Sequence, residues 1–173
     1  AVVVVLQYGQ EIGMTHMQAL QQLVPVNNLV GIKGDGAKAL VLGSGKASNW
    51  KEEEVGEAGK DSWGFKISAT RKDTGETGSA VFTVFDAKRA GLWIDDSVLS
   101  KHPGARHSAW YKFPRRMLRY RALGFICRDM FSDVLQGVHI EEEIDNTINV
   151  EAKIITTEEG QKIDLNKSEQ TQQ

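Results

Sequence analysis

The stretch Ser108-Ala-Trp-Tyr-Lys-Phe-Pro-Arg-Arg-Met-Leu-Arg-Tyr-Arg-Ala-Leu, residues 108–123, decides how the rest of the chain is organised. Pro114 suits the first position of a helix, where its missing N–H costs nothing. The pattern predicts a helix from there to about Met130 or Phe131. Apolar side chains would lie on several sides of this helix, so much of it should be buried. Its arginines must then be concentrated at one end or on a groove wall, where they need anionic partners.

Short helices and hairpins are predicted around this helix. An apolar run favours a helix over residues 1–12, although its β-branched start also suits a strand. The clearest hairpin joins residues 63–70, where apolar and polar side chains alternate, to residues 80–85. The other predicted elements, in chain order, are a helix over residues 16–23 capped by Thr15, a hairpin over residues 24–32 that turns at Asn27-Asn28, a helix over residues 37–42 capped by Asp35 or Gly36, a surface excursion over residues 46–62 with room for one helical turn, a helix over residues 87–90 capped by Asp86, a loop over residues 95–109, and a helical turn over residues 140–146.

These elements predict an α+β fold, with a small antiparallel sheet of hairpins packed on a long central helix and with additional short helices. We expect residues 1–150 to form one core domain and residues 151–173, which are polar and acidic, to form a flexible tail. The apolar runs are far shorter than the roughly 20 residues of a membrane-spanning helix, so no membrane partner is expected. Cys127 is the only cysteine, which fits a reducing cytoplasm.

The charge of the chain is unevenly distributed. The net charge is −2, but residues 141–173 carry nine acidic and three basic residues, which leaves +4 on residues 1–140. No Asp or Glu occurs between Ser97 and Arg128. That window holds Lys101, Arg106, Lys112, Arg115, Arg116, Arg119, Arg121 and Arg128. Local charge patterning, rather than the total, decides where a polyanion can dock.

The start of the long helix combines cations, aromatic rings and unpaired backbone N–H groups. A helix N-terminus with several arginines is a plausible phosphate site, and Trp110, Tyr111 and Phe113 flank Lys112 just before it. Grooves for single-stranded nucleic acid use aromatic rings to stack on bases and cations to neutralise phosphates. The alternative is structural: the arginines pair with Glu52 to Glu54 or Glu141 to Glu143, and the aromatic rings belong to the core.

A series of motifs in the same region resembles the RecT family of phage and prophage single-strand annealing proteins. The resemblance covers residues 8–145 and lies in Tyr8-Gly-Gln-Glu-Ile-Gly-Met, Met17-Gln-Ala-Leu, Ser44-Gly, Phe82-Thr-Val-Phe-Asp-Ala-Lys-Arg-Ala-Gly-Leu, Trp110-Tyr-Lys-Phe-Pro-Arg-Arg-Met-Leu-Arg-Tyr-Arg-Ala and Phe131-Ser-Asp-Val-Leu-Gln-Gly. Ser132 stands where a proline is common in the family. Family members also usually extend further at both ends.

The resemblance implies ATP-independent binding and annealing of single-stranded DNA during homologous recombination and DNA repair, with no catalytic residue and no cofactor; the need for Mg²⁺ stays open. The implied partners are single-stranded DNA, the annealed duplex intermediate, further copies of the chain in a ring or helical filament, a phage exonuclease and a host single-strand binding protein, all in a bacterial cytoplasm. The candidate DNA-binding residues from the charge pattern and the resemblance together are Lys88, Arg89, Arg106, Trp110, Tyr111, Lys112, Arg115, Arg116, Arg119, Arg121 and Arg128.

Three other functions are open to the sequence. Gly43-Ser-Gly-Lys46 hints at a phosphate loop, but Leu40 and Ala47 stand where the pattern needs Gly and Ser or Thr. A metal-dependent nuclease would draw its ligands from Asp95, Asp96, His102, His107 and Glu141 to Glu143, although no spacing among them matches a metal pattern. The third is a non-catalytic structural or interaction protein of a phage.

Overall fold

Helices and short strands alternate along the chain in a computed structural model that describes residues 2–26 and 29–141. In chain order the elements are α1 Val2–Glu11, α2 His16–Gln22, β1 Leu23–Val26, β2 Leu29–Ile32, α3 Gly34–Gly43, β3 Ala47–Val55, β4 Gly64–Arg71, β5 Thr77–Thr83, α4 Val84–Arg89, α5 Asp96–Lys101, a 3₁₀ helix Pro103–His107, α6 Ala109–Lys112, α7 Pro114–Leu135 and β6 His139–Ile140. The predicted tail, the end of the predicted core domain and the Asn27-Asn28 turn lie outside the described residues.

A three-stranded antiparallel sheet, in the order β3-β4-β5, packs on α7. Ile67 in the central strand pairs with Glu52 on one side and Ala80 on the other. Phe65, Ile67 and Phe82 are buried against the helix, because alternate residues of a strand point to the same face. The α+β prediction of a hairpin sheet on a long central helix is confirmed.

The second sheet is mixed, in the order β1-β2-β6. β1 and β2 form the predicted antiparallel hairpin, and β6 pairs with β2 in parallel through Gly31 and His139. The helical turn predicted from residue 140 is wrong for Ile140, which is in this strand, while residues 142–146 lie outside the described part. Gln136 and Gly137, both with positive φ, end α7 and turn the chain back, so that Val138 and Ile140 become buried.

The helix α7 begins at Pro114 as predicted and continues past Phe131 to Leu135. Phe131 itself has non-helical angles, with φ −131° and ψ 31°, so the helix bends there. Nη1 of Arg71 donates a hydrogen bond of 2.6 Å to the Met130 carbonyl oxygen next to the bend. The Arg71 side chain thus contacts the helix backbone directly beside the bend.

The surface excursion predicted for residues 46–62 is wrong, because Ala47–Val55 is the edge strand β3. Its acidic side chains alternate between the two faces of the sheet. Glu52 and Glu54 point towards basic residues of α7, whereas Glu53 is exposed on the other face. A run of glutamates suits a strand here because basic side chains from elsewhere in the chain pair with Glu52 and Glu54, the two that face α7.

Other element boundaries differ from the prediction where a capping residue was overlooked. Thr83 caps α4 in a box with Asp86, since each side chain accepts from the other residue's backbone N–H. The return strand therefore ends at Thr83 instead of residue 85, and α4 begins at Val84. The helix α3 also begins earlier than predicted, at Gly34, and its N-cap residue Lys33 makes no capping side-chain hydrogen bond.

The loop predicted over residues 95–109 is wrong, because this segment contains α5 and the 3₁₀ helix, and α6 begins at its last residue. Asp95 begins the first of them, because its side chain accepts from the backbone N–H groups of Ser97 and Val98. The helices α1 and α2 are as predicted, and Thr15 caps α2 in a box with Gln18. No helix within residues 2–26 and 29–141 is long and apolar enough to cross a bilayer.

Candidate nucleic-acid interface

An open cleft of about 650 Å³ lies at the N-terminal end of α7. The chain reaches it from α6 through Phe113, which has no side-chain cap to offer the following helix. Its walls combine cationic and aromatic side chains, contributed by Phe65, Lys112, Phe113, Pro114, Arg115, Arg116, Arg119 and Tyr120. Phe113 is 60% exposed, so the ring is available to a flat partner. This lining includes Lys112, Arg115, Arg116 and Arg119, four of the predicted binding residues.

Arg115 is ion-paired with a carboxylate of the same chain. Its Nε and Nη2 atoms donate to Glu54 Oε2 at 3.0 and 2.7 Å, and its guanidinium lies 5.3 Å from the centre of the Phe65 ring. Hydrogen bonds from Arg115 and then from Trp63 lower the pKa of Glu54. The pair is on the surface, because the Arg115 side chain is 65% exposed. Exposed pairs of this kind contribute little to stability and can be exchanged for other partners.

Arg119 is held more tightly, by Glu52. Its Nε atom lies 2.5 Å from Glu52 Oε2, and the same carboxylate also binds Lys38 Nζ at 2.6 Å and the Trp50 indole N–H at 2.9 Å. Burial alone would raise the pKa of Glu52, but the hydrogen bonds from Arg119, Lys38 and Trp50 outweigh it and lower the pKa from 4.5 to about 2. Arg119 therefore stabilises the contact between α7 and β3, and a phosphate would have to displace the Glu52 carboxylate to bind it.

Arg116 and Lys112 are the other two basic residues of the lining. The Nε and Nη2 atoms of Arg116 donate to the Tyr120 hydroxyl oxygen at 3.1 and 2.7 Å. Lys112 is exposed and makes no ion pair in the described part of the chain. Among the described residues, Glu54 pairs with Arg115 and Glu52 pairs with Arg119. Lys112 therefore offers an exposed cation to an anion in the cleft.

Two residues predicted to contact DNA are buried, and we correct their roles. Trp110 is only 7% exposed, and its ring lies 6.4 Å from that of Phe82. It belongs to the core beneath β5 and has no free face for a base. Arg121 is 9% exposed, because its position on α7 faces the interior instead of the cleft. Tyr111, by contrast, is exposed beside Trp110.

The remaining predicted residues lie outside the cleft. Lys88 and Arg89 are at the same end of the sheet, on α4, where Lys88 Nζ binds Asp61 at 2.7 Å and Arg89 lies 5.7 Å from the Phe85 ring centre. Arg106 is exposed on the 3₁₀ helix. Arg128 lies 3.2 Å from His139. It is thirteen residues after Arg115 on α7, which corresponds to about 20 Å along the helix axis. Arg128 therefore belongs to the opposite end of the molecule.

In the alternative sites suggested by the sequence, Lys46 and Asp95 have structural roles. Residues 43–46 connect the end of α3 to β3, whereas a phosphate loop leads from a strand into a helix; Lys46 binds Asp133 there. Asp95 is occupied as the cap of α5. Among residues 2–26 and 29–141, no three His, Cys, Asp or Glu side chains are grouped closely enough to hold a metal ion. Glu142 and Glu143 lie outside the described residues.

The spacing of Glu52 and Glu54 is the sequence signal that distinguishes these two carboxylates from the other acidic partners considered for the arginines. Two carboxylates two positions apart share one face of a strand, and this strand crosses α7 beside Arg115 and Arg119. Phe65 and Tyr120, whose rings lie against the guanidinium groups of the cleft, were not predicted as site residues. Their alternation and helical spacing identify them only as core positions.

Comparisons of the chain with protein-family models, with curated proteins and with solved structures give no match. A function is therefore inferred from the cleft and from the motifs of the sequence.

Proposed function

We propose that the chain binds single-stranded DNA in the cleft at the start of α7 and promotes its annealing without ATP, as the resemblance to RecT proteins implies. The lining of the cleft is the observation that carries this proposal. The exposed Phe113 ring lies between Lys112 and the arginines of the first turn of α7. This combination of a stacking surface with adjacent cations is what a single strand needs.

Annealing makes and breaks no covalent bond, so its main barrier is the repulsion between two phosphate backbones. Lys112 neutralises a phosphate of the first strand, Arg116 exchanges its present contacts for another phosphate, and Phe113 stacks on one of the bases. The base edges stay free to pair with a complementary strand, and the protein adds no sequence preference because it contacts the backbone. Arg115 joins these contacts when a phosphate replaces Glu54, whereas Arg119 keeps its structural pairing with Glu52.

The proposal includes the partners that the resemblance implies. These are the duplex intermediate, further copies of the chain in a ring or filament, a phage exonuclease and a host single-strand binding protein, in the cytoplasm of a bacterial host. The two buried residues, Trp110 and Arg121, are removed from the set of DNA contacts. Lys88 and Arg89 stay proposed contacts outside the cleft. The helix α4 that carries them starts near it, because the Val84 N–H donates to the Trp63 carbonyl oxygen and the Trp63 indole N–H donates to Glu54.

The test is a salt titration of binding to labelled single-stranded DNA, with the variant Lys112→Glu. We expect the variant to bind more weakly and its plot of log affinity against log salt to be shallower by about 0.7, the contribution of one neutralised phosphate. Lys72→Glu is the matched control, because Lys72 is an exposed lysine in the turn at the far end of the sheet. Absence of binding by the natural chain, or equal binding by the two variants, would overturn the proposal.

A second measurement separates annealing from cleavage. The chain is incubated with two complementary labelled strands and with Mg²⁺ or Mn²⁺. We expect duplex to form with both strands intact. Shortened strands would instead support the metal-dependent nuclease that the sequence left open.

A further inference from the structure

The strand β5 forms an uncharged edge of the antiparallel sheet. Among the described residues it pairs with β4 alone. Its sequence, Thr77-Gly-Ser-Ala-Val-Phe-Thr, contains no charged residue and no proline. An edge strand presents a row of backbone N–H and C=O groups that another strand can join, and proteins commonly protect such edges with charges, prolines or bulges. None of these protective features is present in β5.

The other sheet edges in the described structure carry such features. In β3 the register shifts between Ser48 and Lys51, and Asn49 has a positive φ of 50°, which is a bulge that twists the edge. The same strand carries Lys51 and three glutamates. In the second sheet, β1 contains Pro25 and β6 has only two residues. β5 is therefore the edge best suited to accept a further strand.

Exposed apolar side chains accompany this edge on both faces of the sheet. Val81, on the open face, is 47% exposed, and Phe85, just after the strand, is 51% exposed. Phe125 projects from α7 beneath the edge, where its ring lies 5.7 Å from that of Phe82, and it is 37% exposed. A strand added to β5 would cover all three, and apolar burial would then add to the backbone hydrogen bonds.

We propose that β5 pairs with β5 of a second copy, antiparallel about a two-fold axis at Ala80, to form a continuous six-stranded sheet. This register places Ser79 opposite the partner's Val81 and Thr77 opposite the partner's Thr83. No like charges face each other, because the strand has none. The contact uses the same surface on both copies and closes on itself, as in most symmetric dimers.

The two-fold arrangement has a geometric consequence. Thr83 pairs with Gly64 near the cleft, and Thr77 pairs with Thr70 at the opposite end of the sheet. Antiparallel pairing therefore places the two clefts at opposite ends of the joined sheet, with both α7 helices on the same face. The inference does not depend on DNA binding: the dimer is the species expected without nucleic acid, and the ring or filament proposed above would form from such dimers through other surfaces when DNA is bound.

The first test measures the mass of the whole 173-residue chain by analytical ultracentrifugation without DNA. We expect twice the chain mass of 19.1 kDa. The double variant Ser79→Lys with Val81→Lys sets lysines opposite each other across the axis, and it should sediment as a monomer. Ser68→Lys is the matched control. Ser68 pairs with Ser79 but lies on the central strand β4, away from the edge, and Lys66 of the same strand already pairs with Val81. This control should remain a dimer.

The second test uses cross-linking to read the register. In the variant Ser79→Cys with Val81→Cys, each new thiol faces a thiol of the partner, at a Cα separation of about 5 Å that suits a disulfide. Cys127 is buried and does not interfere. Oxidation should link the chain into a covalent dimer. A monomeric natural chain, an assembly that the lysine variant leaves intact, or failure of the cysteine pair to cross-link would each overturn the proposal.

Discussion

Arg71 on β4 and Asp133 on α7 bind each other through two hydrogen bonds, from Nη1 to Oδ1 at 2.7 Å and from Nη2 to Oδ2 at 3.0 Å. Lys46, just before β3, binds the same carboxylate. The bend of α7 at Phe131 is thus tied to both of the strands beside it, and the guanidinium lies 5.6 Å from the centre of the Phe131 ring. Three separate parts of the chain depend on one carboxylate.

Replacement of Asp133 by Asn should lower the thermal unfolding midpoint by a few degrees. The amide is neutral, so Arg71 and Lys46 lose their charged acceptor while the shape of the side chain is kept. Differential scanning calorimetry at neutral pH measures the effect. Asp129→Asn, an exposed carboxylate on the same helix, is the control and should leave the midpoint unchanged. Equal midpoints for the two variants would contradict the role given to Asp133.

Glu52 should make the stability of the chain depend on acid. Its pKa is about 2 in the folded protein and near 4.5 without its partners, so the unfolded chain binds the proton more readily. The stabilisation is therefore complete above about pH 4.5 and is lost as the pH falls towards 2. Glu52→Gln should lower the free energy of unfolding by about 1–3 kcal/mol at neutral pH and flatten this acid dependence. Urea unfolding at several pH values measures both effects, and an unchanged acid slope would contradict the assignment.

Removal of the Glu54 carboxylate should strengthen binding to single-stranded DNA. Glu54→Gln leaves Arg115 without its charged partner, so the arginine can neutralise a phosphate instead. The salt dependence of log affinity should become steeper by about 0.7. Glu53→Gln makes the same change of charge on the opposite face of β3 and should leave the slope as it is. If neither variant changes the slope while the natural chain binds DNA, Glu54 does not compete with phosphate.

Neighbouring aromatic residues should respond differently to truncation. Phe113→Ala should weaken DNA binding by about 1–3 kcal/mol, the contribution of one stacked base, with the unfolding midpoint preserved because the ring is exposed. Trp110→Ala should instead lower the free energy of unfolding by about 3–5 kcal/mol, as the loss of a buried ring does. Binding and thermal unfolding of both variants, measured side by side, test this division. A destabilised Phe113 variant would place that ring in the core.

The parts of the fold that were predicted correctly have local signals. Thr15 predicts the start of α2, Pro114 predicts the start of α7, and the alternation of apolar and polar residues around Ile67 predicts β4. The strand character of Glu52 to Glu54 depends on basic side chains more than sixty positions away, so local propensity alone gave the wrong element. The same holds for Ile140, whose partner strand lies near residue 32.

The candidate site was predicted in composition and only partly in geometry. The sequence placed cations and rings at the start of α7, where the cleft lies. Sequence could not distinguish Trp110 from Tyr111, because burial is decided by what packs against the short helix α6. It also left open whether acidic partners would come from Glu52 to Glu54, and two of those residues do pair with the arginines.

The parallel pairing of β2 with β6 joins residues more than one hundred positions apart. During synthesis the N-terminal hairpin leaves the ribosome long before the strand that completes its sheet has been made. Two strands alone are marginally stable in water, and non-local pairings form slowly because loop closure comes first. We therefore expect the hairpin of β1 and β2 to reach its final structure last, and its apolar surface to need shielding until translation has passed β6.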